Sequence, residues 1–370
     1  MKILILGGTG VLSYDFTRKC IAENDDVWLV NRNLRHVFSE QNAHNLKADI
    51  RNIGNADWDN MLGTEEYDVV VDFLSFNPSQ IKMHVEALKN RVGRYVFISS
   101  AVAYKKIDDS LISEERNAVG NDKCDYGYQK ALCERYLIGE GIEYTIVRPY
   151  VTFGRTRIPF QLIPGRYNYT LLARIIGGKP VALVNGGEAV CTLTDTRDFA
   201  NILHGLLLSD KAAREDYHIT SGSEFKWCDI YRILCELLKA KENPFDVSLD
   251  DVKNYMPNSY DMLRGDKATD WKFDNSKALE AIGGYTFKYD IYDSLSESVD
   301  HFTNNQTMQG IDFLWEAEID RMLNKLGCAD NLKCLPGNQF SKRRYLYSIA
   351  RSDVGNKGLH FVRKLKEKKS

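Results

Sequence analysis

Tyr126 and Lys130 lie four residues apart in the stretch "DYGYQK", a spacing that brings two side chains to the same face of a helix. A tyrosine has an ordinary pKa of about 10, so it exchanges protons near neutral pH only if a nearby cation favours the phenolate. Lys130 would supply that cation from one turn away, and of the 20 tyrosines only Tyr126 has a lysine four residues later. The spacing indicates either an acid/base pair or a tyrosine packed beside a lysine stem.

Ser99 and Ser100 follow an apolar run in "FISSAVAY". The run predicts a buried strand, and parallel α/β sheets bind their ligands at the carboxyl ends of the strands. We therefore expect the two serines to lie at a ligand-binding site. Ser99, with Pro149 at the end of a later apolar run, is predicted to contact a cofactor.

A glycine-rich turn in "KILILGGTGVLS" joins the first predicted strand to the first predicted helix. Glycines let the backbone turn tightly and let a pyrophosphate approach, and the free N–H groups of the helix N-terminus bind the anion. We predict a dinucleotide site rather than a plain tight turn, because the motif lies where an alternating fold places such a site. Ser13 replaces the third glycine. The predicted contacts are Gly7, Gly8, Thr9, Gly10, Val11 and Leu12.

The end of the second predicted strand should reach the adenosine ribose, where an acidic residue would favour NAD. The chain has Asn31 and Arg32 there, with Arg35 close by. Because a guanidinium can pair with a 2′-phosphate, the sequence allows NADP or NAD and favours NADP. Cofactor contacts predicted further along the chain are Asp49, Ile50, Phe73, Leu74 and Ser75.

The elements that must position these residues alternate over the first 150 positions. Apolar runs typical of buried parallel strands are "KILIL", "VWLV", "YDVVVDFL", "RYVFIS" and "YTIVRP". Helical stretches at 11–23, 78–91 and 123–139 lie between them. This alternation predicts an α/β fold with a doubly wound parallel sheet of the Rossmann type. On the third helical stretch, Tyr128, Cys124 and Cys133 are predicted to be packing residues.

The second half of the chain is more loosely patterned and predicts a smaller α+β region. One helix is predicted over 306–326 with its stop at Gly327, and its apolar stripe would pack against the domain or against a second subunit of a homodimer. The domains expected are a cofactor-binding domain at 1–155, with segments near 190–215 packing back on it, a substrate-binding region at 156–305, and a helical extension and tail at 306–370.

The composition of the 370-residue chain is that of a globular protein, with 44% hydrophobic and 27% charged residues. No apolar run reaches the roughly 18 to 20 residues of a membrane span, and the N-terminus is too short and too quickly interrupted by glycine for a signal peptide. We therefore expect a cytoplasmic protein. The eight cysteines form no C-x-x-C pair and the seven histidines do not cluster, so we expect reduced thiols and no metal site.

The charge is unevenly distributed. The net charge is −2, but residues 342–370 contain ten Lys/Arg and two acidic residues, a net charge of +8 (10 − 2). Such a tail is either solvated or in contact with an anionic surface.

The glycine turn, the serine strand, the Y-x-x-x-K helix and "RPYVTFG" occur in the order and spacing of the short-chain dehydrogenase/reductase superfamily. Over about 300 residues the chain resembles the extended branch of nucleotide-sugar epimerases, dehydratases and reductases, including its atypical members. The resemblance implies that Tyr126 transfers a proton as hydride passes to or from the nicotinamide, and that Lys130 also holds the nicotinamide ribose. It assigns Ser100, four residues before Tyr104, to the substrate oxygen.

The chain departs from the family pattern at several positions. The family's dehydratases carry an acidic pair after the serine, where this chain has Ala101 and Val102, so an epimerase or a ketoreductase is favoured. Val151 replaces the amide of R-P-x-N, and Cys191 stands where the family has a diphosphate-binding arginine. Other arginines, including Arg174, crowd the following loop and would suit an anionic substrate. The predicted substrate contacts are Tyr104, Val151, Arg155, Arg157 and Arg166.

Two hypotheses follow for the function. The first is an NAD(P)-dependent epimerase or ketoreductase of a nucleotide sugar or a related sugar. The second, favoured only by the basic tail, is a cofactor-bound regulatory or RNA-binding member of the atypical group that turns nothing over. Asp198 in "RDFA" matches a structural aspartate of the family.

Overall fold

The computed structural model describes residues 1–32, 43–50, 55–107 and 111–328, together with Phe38 and Leu335. The predictions for Arg35 and for the basic tail lie outside these residues. Two compact units divide the chain, each built from discontinuous segments. The first unit comprises Met1–Gly154, Thr192–Glu224 and Trp271–Asp290. The second comprises Arg155–Cys191, Phe225–Asp270 and the chain from Ile291 onward.

The strands, in chain order, are β1 (Lys2–Leu6), β2 (Asp26–Asn31), β3 (Ala43–Lys47), β4 (Tyr67–Asp72), β5 (Val92–Ile98), β6 (Tyr144–Pro149), β7 (Thr152–Phe153), β8 (Val181–Val184), β9 (Val190–Thr192), β10 (Thr194–Asp195), β11 (Glu215–Ile219), β12 (Glu224–Lys226) and β13 (Pro244–Val247). The α-helices are α1 (Val11–Ala22), α2 (Asn55–Leu62), α3 (Pro78–Leu88), α4 (Asp125–Gly139), α5 (Tyr169–Ile176), α6 (Thr196–Leu208), α7 (Trp227–Leu237), α8 (Leu249–Tyr255), α9 (Pro257–Met262), α10 (Ser276–Ala281), α11 (Ile291–Asn304) and α12 (Phe313–Lys325).

A seven-stranded sheet in the order β11-β6-β5-β4-β1-β2-β3 forms the centre of the first unit, and its neighbouring strands are parallel. The order reverses between β1 and β4, which is the point where doubly wound sheets bind ligands. The predicted fold class is confirmed. The apolar runs became the five central strands, whereas the edge strands β3 and β11 carry polar residues because an edge is less buried.

Hydrophobic side chains cover both faces of this sheet. Along β1, Ile3 and Ile5 join one core with α1 and α6, while Leu4 and Leu6 join a second core with α2, α3 and α4. The alternation follows the two-residue period of a strand. Helices on both faces bury the central strands and hold their carboxyl ends in fixed positions.

The second unit contains the parallel pair β8–β13 and helices α5, α7, α8, α9, α11 and α12. The helix predicted over 306–326 is only partly confirmed, because α12 begins at Phe313 and residues 306–308 form a separate 3-10 turn. Asp312 accepts a hydrogen bond from the N–H of Trp315 and caps the shorter helix. Gly310 lies between the two elements, and a side chain there would clash with the ring of Tyr167.

Candidate dinucleotide and proton-transfer site

The glycine turn between β1 and α1 has a geometry that only glycine adopts easily. Gly7 and Gly8 have φ values of 114° and 85°, in the left-handed region that strains other residues. A Cβ atom on Gly8 would lie 2.8 Å from Leu29 Cδ2. The Gly7 N–H donates to the Val30 carbonyl at 2.9 Å, which fixes the turn against β2.

Helix α1 begins directly after this turn, and its first turn contains no acidic residue. Ser13, the departure from the glycine pattern, is buried and accepts a hydrogen bond from the Gly10 N–H at 2.9 Å. Its hydroxyl therefore stabilises the start of the helix. Free N–H groups and an uncharged first turn are the conditions under which a helix N-terminus binds phosphate. The turn consequently fits a pyrophosphate, with Thr9, Val11 and Leu12 beside it.

The ends of β2 and β3 lie side by side at the predicted adenosine position. The Ala48 N–H donates to the Asn31 carbonyl at 2.9 Å. Asn31 is buried and Arg32 is exposed. Asp49 is half-buried, whereas Ile50 is buried within the core of the second sheet face. Ile50 is therefore a packing residue in this structure, and the polar groups at the strand ends are Asn31, Arg32 and Asp49.

The turn after β4, residues 73–75, lies next to the glycine turn. A Cβ atom on Gly7 would lie 3.5 Å from Leu74 Cγ and 3.6 Å from Phe73 Cβ. Phe73 and Leu74 are half-buried and Ser75 is buried. The structure thus brings together two segments that the sequence assigned to the cofactor.

The strand β5 ends one residue before the serine pair, and the two hydroxyls point to different partners. Ser99 Oγ donates to Glu134 Oε1 on α4 at 2.5 Å. Ser100 caps the 3-10 turn 101–103, and its Oγ accepts the Val102 N–H over a long 3.4 Å. The hydroxyl of Ser99 is therefore committed to a carboxylate, while that of Ser100 is held weakly.

Helix α4 carries Tyr126 and Lys130, the predicted proton-transfer pair, and packs close to the serine turn. Gly127 makes this approach possible, because a Cβ atom there would clash with the carbonyl oxygen of Val102. Tyr126, next to it, is half-buried. The residue between the two tyrosines thus sets the distance from α4 to the turn that carries Ser100, a role that sequence reasoning missed although the glycine interrupts a helical pattern.

Lys130 is buried, with 2% of its surface exposed. Its Nζ donates to the carbonyl oxygens of Ser75 at 2.7 Å and Ile98 at 2.8 Å. Burial lowers the pKa of Lys130 to about 8, although Asp72 is the largest of the nearby charges that act in the opposite direction. The lysine therefore connects the turn at 73–75 to the end of β5.

The predicted substrate contacts of the first unit differ in accessibility. Tyr104 is fully buried, and its hydroxyl accepts from Arg148 Nη1 at 2.7 Å and lies 3.2 Å from His218 Nδ1. Its pKa is raised well above the ordinary value, mainly by burial. Pro149 is buried at the end of β6 and Val151 is half-buried. Tyr104 thus packs in the interior in this structure.

The predicted arginines lie in the second unit and differ in exposure. Arg155 and Arg166 are exposed, and Arg157 is half-buried. Arg155 Nε lies 3.3 Å from His301 Nδ1, and Arg166 lies over the ring of Tyr167. The prediction for Arg174 is wrong, because its guanidinium is fully buried and paired with Glu316 and Asp320 on α12.

The packing predictions for the opening of α4 had mixed outcomes. Cys124 and Cys133 are buried, as predicted. Tyr128 is 41% exposed, so the prediction that it packs is wrong.

Sequence reasoning also missed a buried polar cluster around Arg148. Its guanidinium forms a bidentate pair with Glu134, at 2.9 and 2.7 Å, and a further pair with Asp216. Glu134 is fully buried and also accepts from Ser99. An arginine inside the apolar run "YTIVRP" was the available signal, since a buried charge requires a partner.

In the described part of the chain, Cys20, Asp25 and His204 bring potential metal-ligand atoms within 4.8 Å of one another. Asp25 already receives the N-terminal ammonium at 2.9 Å and His204 Nε2 at 2.8 Å. The carboxylate of Asp25 is therefore already engaged by two partners. Among the described residues, no helix is both long and apolar enough to cross a bilayer.

A doubly wound sheet, with a glycine turn at its first strand–helix junction, places the protein in the class of Rossmann-type dinucleotide-binding folds. A model of the NAD dependent epimerase/dehydratase family matches residues 3–220. The chain belongs to this family.

Solved structures with the same fold share little sequence with the chain. An epimerase from Methanothermobacter thermautotrophicus is 18% identical, with a TM-score of 0.66 over 83% of this chain and 93% of that one. A dTDP-glucose 4,6-dehydratase from Bacillus anthracis, in complex with NAD, is 16% identical, with a TM-score of 0.67 over 83% and 98%. A UDP-glucuronic acid 4-epimerase from Bacillus cereus, in complex with NAD, is 17% identical, with a TM-score of 0.64 over 82% and 97%.

One curated relative has a name of a different kind. The chain is 25% identical over 315 residues to the chloroplast stem-loop binding protein of 41 kDa b of Arabidopsis thaliana. The match covers 80% of this chain and 78% of the relative.

Proposed function

We propose that the protein is an NAD(P)-dependent epimerase or ketoreductase of a nucleotide sugar or a related sugar. The observation that carries the proposal is the position of Lys130, which joins α4, the turn beside Gly7 and the end of β5 through two short hydrogen bonds. This arrangement puts a cation one helical turn from Tyr126 and next to the segment assigned to the cofactor. Membership of the NAD dependent epimerase/dehydratase family supports the same function.

The residues present fit a dinucleotide. Positive φ at Gly7 and Gly8, and the crowding that any Cβ on Gly8 would meet, leave the turn open to a pyrophosphate. Gly7 to Leu12 would hold the diphosphate, Asn31, Arg32 and Asp49 the adenosine, and Lys130 the nicotinamide ribose. A bound nicotinamide supplies or accepts the hydride.

The protein's own part of the reaction is proton transfer and orientation. Tyr126 Oη would exchange a proton with the sugar hydroxyl or carbonyl oxygen, and Ser100 Oγ would hydrogen-bond that oxygen. Two of the three N–H donors of Lys130 are used by the Ser75 and Ile98 carbonyls, which leaves one to reach a ribose hydroxyl. The positive charge beside Tyr126 favours its phenolate.

Dehydration is disfavoured because it needs a carboxylic acid that donates a proton at the site. Ala101 and Val102 occupy the positions after the serine. The acidic side chain that contacts Ser99, Glu134, is already engaged by both nitrogens of its bidentate pair with Arg148. This leaves epimerisation and keto-reduction, and the site as described suits both.

For the cofactor we propose either NADP or NAD, with NADP preferred. The support is an exposed guanidinium, Arg32, at the end of β2, where a carboxylate would favour NAD. Comparison of NADH and NADPH dissociation constants tests this preference.

The proposed reaction is tested on the full chain with Tyr126→Phe. Thermal shifts with nicotinamide cofactors and with UDP- and dTDP-sugars identify ligands, and product analysis then measures turnover. We expect Tyr126→Phe to bind cofactor as the wild type does and to lose turnover. Tyr128→Phe, which changes an exposed tyrosine of the same helix, is the matched control and should remain active. Full activity of Tyr126→Phe would refute the mechanism.

A second candidate function is a cofactor-bound RNA-binding protein without turnover. The specific observation is the relative named as a stem-loop binding protein, which the chain matches over 78% of its length. Gel-shift measurements with stem-loop RNA, on the full chain and on a chain ending at residue 340, test this function. Tight binding that depends on the tail, without turnover of any sugar nucleotide, would favour it over the enzyme.

A further inference from the structure

Asp72 is a carboxylate at the end of the apolar strand β4, with none of its surface exposed. Its Oδ1 accepts the N–H groups of Leu74 at 2.7 Å and Ser75 at 3.0 Å. Its Oδ2 accepts the hydroxyls of Tyr95 at 2.7 Å and Ser75 at 2.5 Å. Four donors therefore satisfy the buried charge, and two of them are backbone groups of the turn at 73–75.

His84 joins this network from α3. Its Nδ1 lies 2.9 Å from Ser75 Oγ and 3.1 Å from Asp72 Oδ2, and the side chain is fully buried. Burial alone would raise the pKa of Asp72, but the interactions with His84, Ser75 and Tyr95 outweigh it and hold that pKa below its ordinary range. Asp72 is therefore an anion throughout the neutral range.

The network reaches the candidate site through one residue. Ser75 offers its backbone N–H and hydroxyl to Asp72, while its carbonyl oxygen accepts from Lys130 Nζ at 2.7 Å. The titratable groups that influence Lys130 are Asp72 on β4 and Cys133 and Glu134 on α4 itself, with Asp72 first among them. Asp72 is thus linked to Lys130 in two ways, by hydrogen bonds through Ser75 and by the interaction between their charges.

We propose that Asp72 and His84 are positioning residues of the hydride-transfer site. They hold the turn at 73–75 so that the Ser75 carbonyl fixes Lys130, and the negative charge of Asp72 stabilises the Lys130 ammonium that would hold the nicotinamide ribose. The inference rests on the proposed function, because it assigns Lys130 to the cofactor. It extends that function to two residues that lie behind the site.

The test uses Asp72→Asn, which keeps the shape of the side chain and removes its charge. NADH and NADPH dissociation constants are measured by fluorescence between pH 6 and 10 on the full chain. Wild-type affinity should fall as Lys130 loses its proton, at a pH near or above 8. Removing the anion favours neutral lysine, so the fall in Asp72→Asn should begin about one pH unit lower, and affinity at pH 8 should be about fivefold weaker.

A matched control is available in the same unit. Asp198 is also buried and accepts one tyrosine hydroxyl, from Tyr285 at 2.6 Å, and two backbone N–H groups, from Lys288 and Tyr289. Asp198→Asn removes a comparable set of hydrogen bonds without touching the turn at 73–75. Asp198→Asn should lower the melting temperature and leave the pH profile of cofactor binding unchanged. If Asp72 had a purely structural role, Asp72→Asn would give the same result.

The outcomes separate the inference from the proposed function. If the wild type binds neither cofactor, both are overturned. If it binds and Asp72→Asn has the wild-type affinity and pH profile, the inference alone is overturned. Should Asp72→Asn fail to fold, His84→Phe decides, because it keeps an aromatic ring and removes the Nδ1 donor: about threefold weaker binding supports the inference, and wild-type affinity overturns it.

Discussion

Each unit of this protein buries a cluster of charges, and the two clusters are built differently. In the second unit Arg174 and Lys179 face Glu316 and Asp320, with Arg174 2.8 Å from each carboxylate and Lys179 2.6 Å from Asp320. In the first unit Lys130 Nζ donates to two backbone carbonyl oxygens. The carboxylate that balances its charge, Asp72, is linked to it through Ser75.

The two arrangements suggest different roles for the two clusters, one in stability and one in the reaction. Four charges that pair directly with one another form a compact cluster, which holds α12 to the rest of its unit. Lys130 does not pair directly with its carboxylate, so one N–H donor and the positive charge could interact with a molecule that binds beside it. We therefore expect damage to the first cluster to appear in turnover and damage to the second to appear in unfolding.

The largest expected effect is on turnover in Lys130→Met. In the proposed mechanism the variant loses the cation that would favour the Tyr126 phenolate, so we expect turnover to fall by about 10² to 10⁴, the usual contribution of a general acid/base. Stability should change little, or increase, because methionine fills a similar volume without a buried charge. Steady-state kinetics and urea unfolding on the same preparation measure the two effects, and a large loss of stability would contradict the contrast.

The same variant has a defined pH dependence. The pKa of Lys130 is lowered from 10.5 to about 8 in the folded protein, so between these pH values the unfolded chain binds more protons. The contribution of Lys130 to the free energy of unfolding therefore rises with pH over this window. The stability difference between Lys130→Met and the wild type should be greatest below pH 8 and shrink as the pH approaches 10.5.

Glu316→Ala should have the largest effect on stability. It leaves Arg174 and Lys179 buried beside a single carboxylate, and breaking such a cluster costs about 3–5 kcal/mol. Denaturant unfolding measures this loss, and NADH affinity should stay at the wild-type value. Glu188→Ala is the control, because Glu188 forms an exposed pair with Lys226 that should contribute little.

Gly127→Ala should have an intermediate effect. The added methyl group meets the Val102 carbonyl, and relieving this contact by a backbone shift costs about 1–3 kcal/mol. Because α4 and the Ser100 turn must move apart, turnover should fall by more than the melting temperature predicts. Gly139→Ala, at the other end of α4 with open space around it, is the control.

Arg32→Ala should have the smallest effect. Arg32 is exposed and outside both buried clusters, so its loss should not alter stability. The preference for NADPH over NADH should fall by about tenfold, as expected for one charge-assisted contact of about 1.4 kcal/mol. An unchanged ratio would remove the support for NADP.

The sequence was sufficient for those parts of the molecule that depend on local pattern. The five central strands, the glycine turn and α4 follow from apolar runs, glycine spacing and helical periodicity. Roles that depend on contacts with residues far away in the sequence could not be predicted. Arg174 was assigned to an exposed loop because its carboxylates lie 142 and 146 residues away.

Asp72 was overlooked for a related reason. In "YDVVVDFLSF" it reads as the polar end of a strand, and only the fold shows that Tyr95 and His84 surround it. The start of α12 was placed too early because the apolar stripe continues through residues 309–312, which are not helical. Tight contacts and hydrogen bonds between distant residues form only when the chain is packed. The local sequence therefore gives little indication of which residues make them.

The discontinuous composition of the first unit has a consequence for synthesis on the ribosome. The edge strand β11 and helix α6, which cover β6 and α1, are contributed by Thr192–Glu224, long after the glycine turn and α4 have left the ribosome. Until then one apolar face of the nascent sheet lacks its covering helix, a state that is prone to aggregation. A fragment ending near residue 155 should accordingly be insoluble, and nascent chains should depend on chaperones until about residue 224 has emerged.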